Sequence, residues 1–280
     1  MTVLLPDLSE FQPNADMAGI KRANGGAAII RAAYGHAHPD HVFAHLRASA
    51  HAAGYAFLGL YQYLVAGQDV ASQAGAFCSA AGKLAPHEVA ILDLEEGTGD
   101  QSARAAAWLA AVGTRLGKRP WLYSGESFAM DHGLAPIFDG PQVHTWVAAY
   151  RAAEPALGHT LWQSTNGQAG ANITDWAGAG RCDTSIYHGT LEQLAALTGP
   201  PHSPGQAPHV ATHVTAGRLS LHDLAAQHGT VPMHILHLTC AHHGGFPPEV
   251  ARWGNDVFAG VIDAQADMPA GLHLRVPVVP

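Results

Sequence analysis

The stretch VAILDLEE, Val89 to Glu96, decides the fold. A short apolar run ends in three acids, Asp93, Glu95 and Glu96. It reads as a strand over Glu88–Leu94 that delivers carboxylates to its C-terminal end. Side chains two apart on a strand share a face, so Asp93 and Glu95 should converge while Leu94 and Glu96 point away.

Outward from this strand, the first 200 residues alternate short apolar runs with longer amphipathic ones. The remaining candidate strands are Thr2–Pro6, Ala27–Ala33, Tyr55–Tyr63, Pro120–Tyr123, Val143–Ala149, Thr160–Gln163 and Thr184–Tyr187. Candidate helices cover Asp16–Ala23, Asp40–Ala53, Val70–Gly82, Gln101–Leu116 and Leu191–Leu197. Asp100 and Ser102 supply N-cap chemistry for the fourth helix, and Gly117 is its expected stop. Strand–helix alternation through the first five strands implies parallel βαβ units, after which strands follow one another with little helix between them. The fold class expected is α/β: an irregular TIM-like (β/α)5(β)3 barrel, followed by a small α+β domain. The Pro/Gly-rich segment GPPHSPGQAP, Gly199 to Pro208, marks the boundary. The expected domains are 1–198, a linker 199–209, and 210–280.

Composition narrows the function. Only 13% of residues are charged and nearly half are apolar, which is globular. The formal net charge of −8 argues against a protein that holds nucleic acid through its phosphates. Three cysteines, Cys78, Cys182 and Cys240, make no disulfide framework and read as reduced, mostly buried thiols. The N-terminus MTVLLPDLSEF has no basic region before an apolar run, so no signal peptide is expected, and no stretch is apolar enough to span a membrane.

In a barrel of this kind the chemistry sits at the C-terminal ends of the strands. Asp7 closes the first strand there, Asp93 and Glu95 close the fourth, and Asp183 precedes the last. Two carboxyls as close as Asp93 and Glu95 cannot ionise independently, so one tends to keep a proton and can act as a general acid. Glycoside hydrolysis needs that pair: an acid for the leaving oxygen and a partner for the oxocarbenium-like centre. The same pattern can also serve phosphoryl or metal chemistry, or hold structure. Aromatics at strand ends favour sugar. Tyr61, Tyr63, Trp121, Tyr123, Trp146, Tyr150 and Trp162 offer flat platforms, about half of them expected to fill the barrel instead.

The ordered segments DLSEFQP at Asp7, IIRAAYG at Ile29, GLYQYLV at Gly59, ILDLEE at Ile91, GKRPWLYSG at Gly117, TWVAAY at Thr145, LWQST at Leu161 and CDTSIYHG at Cys182 carry a resemblance. Together they resemble the glycoside hydrolase family 25 lysozymes, the Chalaropsis-type muramidases of phages, bacteria and fungi. The resemblance implies cleavage of the β-1,4 bond between N-acetylmuramic acid and N-acetylglucosamine. It maps Glu95 to the proton donor and Asp93 to its partner, either nucleophile-like or holding the substrate's acetamido group. Asp7 and Asp183 match the other acids of the site. Tyr61, Tyr123 and Trp146 match substrate-facing aromatics, and Tyr150, Gln163 and Arg31 complete the expected substrate-binding set. Gln62 stands where the family often has His, which implies a changed detail in that subsite.

The tail resembles a LysM peptidoglycan-binding module in VTAGRLSLHDLAAQHGTVPMHIL, Val214 to Leu236, and in GLHLRVP, Gly271 to Pro277. These match the start, first helix and closing strand of a βααβ unit. A longer segment than that module allows separates them. Cys240, His242 and His243 form one candidate metal cluster, and His36, His38 and His41 another. Neither has the spacing of a structural zinc site, so no metal and no cofactor is expected. The expected partner is bacterial peptidoglycan, with no nucleic acid, no membrane insertion and a monomeric chain. A phage endolysin, held in the host cytoplasm until released to the wall, fits best. The alternatives are a non-catalytic wall-binding or virion structural protein and a bacterial autolysin with the same chemistry.

Overall fold

A computed structural model describes residues 1–140, 142–199, 210–214 and 273–277 of the 280-residue chain. Chain contacts divide it into two units, Met1–His202 and Ser203–Pro280.

The first unit runs β1 (Thr2–Leu8), α1 (Met17–Asn24), β2 (Ala27–Tyr34), β3 (His38–Pro39), α2 (Phe43–Ala53), β4 (Phe57–Tyr63), α3 (Val70–Ala81) and β5 (Glu88–Asp93). It continues through α4 (Ser102–Leu116), β6 (Trp121–Gly125), α5 (Glu126–Asp131), α6 (Ala135–Phe138), β7 (Thr145–Ala148) and β8 (Leu161–Asn166). The last elements are β9 (Asp175–Trp176), β10 (Gly180–Arg181), β11 (Asp183–His188) and α7 (Leu191–Ala196). Eight strands close a barrel in the order β1-β11-β8-β7-β6-β5-β4-β2, with β2 pairing back onto β1. Neighbours are parallel except around β11, which runs antiparallel to both β1 and β8.

All eight expected barrel strands are present, with ends moved by a few residues. The short helices α5 and α6, and the two-residue strands β3, β9 and β10, have no counterpart in the sequence reading. Elements of two to six residues are too short to show a full period of apolar residues. Asp183 also differs from expectation: it is the first residue of β11, not a residue before the strand.

Alternation along β5 sets the two cores. Val89 and Ile91 point into the barrel with Leu5, Ile29, Phe57, Trp121 and Trp146. Ala90, Leu92 and the following Leu94 point outward against Phe77 of α3 and Trp108 of α4. Asp93 falls on the inward series, one step above Ile91. The helix ends differ in part from expectation: α2 begins at Phe43 and not Asp40, and in α4 Gln101 is the N-cap, without a side-chain cap bond, while Ser102 is the first helical residue. Asp100 accepts the Ser102 N–H at 2.8 Å. Gly117, at φ 68°, turns α4 off while its N–H donates to the Gly113 carbonyl, a left-handed turn that glycine makes without strain.

The base of the barrel, opposite the strand C-termini, is tied by a buried carboxylate. Glu88 accepts from Arg47 Nε (2.7 Å) and Nη2 (2.6 Å), from His51 Nε2 (2.8 Å) and from the Ala85 N–H (2.6 Å). Lys118 donates to the backbone oxygens of Ala85, Pro86 and Glu88. Burial alone would push the Glu88 carboxyl up, but the Arg47 guanidinium and the Ala85 N–H hold it below its ordinary value.

In the second unit, β12 (Val210–Val214) pairs antiparallel with β13 (His273–Pro277), from Val210 opposite Pro277 to Val214 opposite His273. The expected helices of the tail, and the Cys240, His242 and His243 cluster, lie outside the described residues.

Glu88→Ala should cost about 3–5 kcal/mol in denaturant unfolding at neutral pH, because it leaves a buried guanidinium without its carboxylate. The sign with pH follows from the lowered Glu88 value. Its contribution is present above the unfolded carboxyl pKa of about 4.3 and is lost as pH falls through the folded value. The gap between wild type and variant should therefore shrink in acid.

Candidate active site

At the C-terminal mouth of the barrel lies a cavity of about 230 Å³ lined by Asp7, Asp93, Glu95 and Asp183 among others. Each acid arrives for a topological reason. Asp7 sits near the end of β1, Asp93 ends β5, and Glu95 continues its face two residues on. Asp183 begins β11, and because that strand is antiparallel, its first residue lies at the same mouth as the others' last.

Gln163 of β8 organises the ring. Its Nε2 donates to Asp7 Oδ2 (3.3 Å) and Asp183 Oδ2 (3.2 Å). Its Oε1 accepts the hydroxyls of Tyr123 (2.7 Å) and Tyr150 (3.1 Å). One amide therefore spaces two acids and fixes two aromatic rings. Tyr61 adds a hydrogen bond to Asp7.

The electrostatics favour retained protons. Burial, then repulsion from Asp183, holds Asp7 well above the ordinary carboxyl range. Burial, then repulsion from Glu95 and Asp7, does the same to Asp93. Burial also raises Glu95 and Asp183. Asp93 and Glu95 act on one another's protons, so a proton taken up there belongs to the pair and not to either acid alone. The nearest cation, Arg31, is engaged elsewhere: Nε donates to Asp40 Oδ2 (3.0 Å) and Nη2 to Glu10 Oε1 (2.6 Å). Among the described residues, Asp7 Oδ1 and Asp93 Oδ1 are buried without a hydrogen-bond partner. His87 Nε2, at the far end of the barrel, is a third such atom; at the mouth the two free carboxyl oxygens face the cavity's acids and are available to a ligand.

The cavity brings together Asp7, Asp93, Glu95, Asp183, Arg31, Tyr61, Tyr123 and Tyr150 from the expected set. Trp146 is corrected. It is fully buried, its ring lies 4.1 Å from that of Tyr123 and 6.3 Å from that of Tyr61, and its indole N–H donates to Ser185. It supports the aromatic floor from below. Gln62 is corrected too. Being one residue from Tyr61, it faces the helices, where Nε2 donates to the Gly35 and Gln73 carbonyls and Oε1 accepts from Trp108. It occupies no subsite. Glu96 turns away as expected, accepting from the Tyr63 hydroxyl and the Ala66 N–H.

Ser9, Phe11 and Gln12 also line the cavity without having been expected there, and so does Tyr63, which was expected only as one of the strand-end aromatics. Phe11 is 75% exposed and lies 5.4 Å over the Arg31 guanidinium. Its signal was its place, an aromatic in a loop four residues after a strand-end acid. Tyr63 stacks on Tyr34 at 4.7 Å, extending the aromatic rim.

For metals, ligand atoms of His51, His87 and Glu88 lie within 4.8 Å of one another at the far end of the barrel. The Glu88 charge is already taken by Arg47, and Lys118 adds a second cation, so this cluster reads as the ion-pair network described above. His38 and His41 pair with Glu10, and His36 with Gln68. Cys78 and Cys182 are free and buried, and burial pushes the Cys182 thiol up to about 12.

A closed barrel with buried carboxyls and an aromatic rim at its C-terminal mouth has the architecture of a glycosidase. The chain belongs to the glycosyl hydrolases family 25, whose family model matches residues 6–172. It is 32% identical over 146 residues to the uncharacterized protein YegX of Escherichia coli O6:H1, covering 49% of this chain and 50% of that one. The chain thus spans about half the length of that curated relative. Among solved structures it is similar to the catalytic domain of endolysin ply40 from bacteriophage P40 of Listeria monocytogenes. That match has 25% identity and a TM-score of 0.59, over 70% of this chain and 98% of that one. The muramidase from Trichobolus zukalii shares the fold at 22% identity and a TM-score of 0.61, over 70% and 98% of the two chains.

The raised carboxyls carry a stability signature. Between the unfolded value of about 3.9 and the raised folded value, folded Asp93 keeps a proton the unfolded chain has lost, so stability falls as pH rises. Asp93→Asn should raise the melting temperature at pH 7 by about 2 °C or more, the shift for roughly 1 kcal/mol in a domain of this size. The gain should vanish in strong acid, as read by thermal unfolding across pH.

Proposed function

We propose that this protein is a muramidase that hydrolyses the β-1,4 bond between N-acetylmuramic acid and N-acetylglucosamine in bacterial peptidoglycan. The observation that carries the reading is the pair of acids Asp93 and Glu95, brought into one cavity at the mouth of a family 25 barrel and raised above the ordinary carboxyl range by burial. Glu95 is the proton donor to the leaving oxygen. Burial and repulsion from Glu95 suppress the negative charge of Asp93, which supports the second of the two roles for it. Direct nucleophiles stand about 5–5.5 Å from the acid, on the far side of the bond. A carboxyl on the same strand face as Glu95 and in the same cavity is instead suited to accept the N–H of the 2-acetamido group, whose oxygen attacks the anomeric carbon. Arrival of that N–H at Asp93 shifts the shared proton to Glu95, where the leaving oxygen takes it up. Asp7 and Asp183, spaced by Gln163, surround the positive charge that develops at the ring.

Within this reading, residues 1–198 form the catalytic domain and 210–280 a wall-binding module joined by the linker 199–209. Antiparallel pairing of β12 with β13 supports a LysM-like βααβ unit, in which the first and last strands are neighbours. Similarity to a phage endolysin's catalytic domain supports the endolysin reading. Among the described residues no helix is long and apolar enough to cross a membrane. In this reading the protein acts on the wall as a monomer and is released to it from the host cytoplasm.

Incubation with purified peptidoglycan should release reducing muramic acid. Reducing glucosamine or no new reducing ends would refute the reading. Glu95→Gln should lower the rate by roughly 10²–10⁴-fold, the usual worth of a general acid. The alkaline limb of the wild-type kcat/KM profile should lie above the ordinary carboxyl range, since the raised donor stays protonated there. Removing residues 200–280 should weaken sedimentation with walls more than it slows cleavage of soluble fragments.

A further inference from the structure

Glu95 and Tyr150 line a second cavity as well, of about 350 Å³, shared with Gly125, Glu126, Phe128 and Arg151. The two cavities meet at the proton donor and differ in charge. One holds four carboxyls without a directly bonded cation, which suits a ring acquiring positive charge. In the other, the one further acid, Glu126, is neutralised by Arg151 at 2.7 Å. That lobe is suited to a neutral sugar.

Resting on the muramidase reading, we propose that this second lobe binds the departing amino sugar and that Arg151 is its positioning residue. The guanidinium is held in place on three sides. Nη1 donates to Glu126 Oε2, Nε to the Ala153 carbonyl (3.1 Å) and Nη2 to the Glu154 carbonyl (3.2 Å). Glu126 is itself fixed, because its other oxygen accepts the Ala156 N–H at 2.5 Å. An arginine has five N–H donors, so two remain for the hydroxyl or acetamido oxygens of a sugar. Tyr150, 42% exposed, supplies a ring face bordering both lobes. Gly125 lies beside Glu95 where the two lobes meet, with its Cβ position 3.9 Å from Glu95 Oε2. The scissile oxygen then lies at Glu95 with a sugar on either side. Holding the departing sugar fixes the angle at which that oxygen meets the proton.

Two substrates separate this role from a structural one. In a soluble wall-glycan oligomer an amino sugar departs; in an aryl β-glycoside of the same glycone a small phenol departs. Arg151→Ala should lower kcat/KM on the oligomer roughly 10- to 100-fold more than on the aryl glycoside, mainly through KM, as expected for lost charge-assisted hydrogen bonds. Arg151→Lys should restore part of the difference. Equal losses on both substrates, or no loss on either, would overturn the proposal. Calorimetric binding of the oligomer in a Glu95→Gln background reads the same contact without turnover, and an Arg151→Ala addition that leaves the affinity unchanged would also overturn it. A wild type that binds the oligomer through Arg151 yet releases no reducing ends would instead count against the muramidase reading.

Discussion

Four carboxyl groups share the mouth of this barrel, and no basic side chain among the described residues pairs directly with any of them. Everything around them is arranged to tolerate that. Gln163 spans Asp7 and Asp183 with a neutral amide, which holds the two acids without cancelling their charge. Arg31 lies close enough to lower Asp7, yet its hydrogen bonds go to Asp40 and Glu10. A guanidinium bonded directly to the ring would lower its proton affinity and remove the donor at neutral pH. The mouth is therefore kept poorly neutralised, at a cost in stability offset elsewhere in the barrel.

The opposite end shows the reverse policy. Glu88 is as deeply buried as Asp93, but it receives two guanidinium bonds, an imidazole and a backbone N–H. Its carboxyl is lowered where Asp93 is raised. Two acids at the two ends of β5 thus titrate in opposite directions. Partners, not burial, decide which acid stabilises the fold and which is available for chemistry.

Much of this was legible in the sequence. Every barrel strand has an apolar run long enough to register, and the alternation that puts Ile91 inside also puts Asp93 and Glu95 on one face. The rest depended on distance in space. Nothing local to Trp146 separates a ring beneath the floor from one on it, because both point into the barrel. Gln62 was misread because matching it to a family position ignored its pleat, one residue out of phase with Tyr61 and Tyr63. Phe11 and Tyr63 matter through neighbours, Arg31 and Tyr34, that are brought to them by closure. The pairing of Arg151 with Glu126 joins the loop after β7 to the start of α5 and leaves no spacing to read.

The placement of β11 has a consequence for the order in which the molecule can form. The family model ends at residue 172, before this strand begins, yet β11 is the piece that joins β1 to β8. Leu4 finds its partner only at Ile186, and Asp7 meets the amide of Gln163 across 156 positions of chain. Contacts so remote in sequence form slowly and late, after the local βαβ units have docked. β1 has β2 on one side early in the sequence, but its other side is filled only by nearly the last strand of the unit. Closure of the sheet and completion of the acid ring therefore depend on one and the same strand, which both bridges β1 to β8 and carries Asp183.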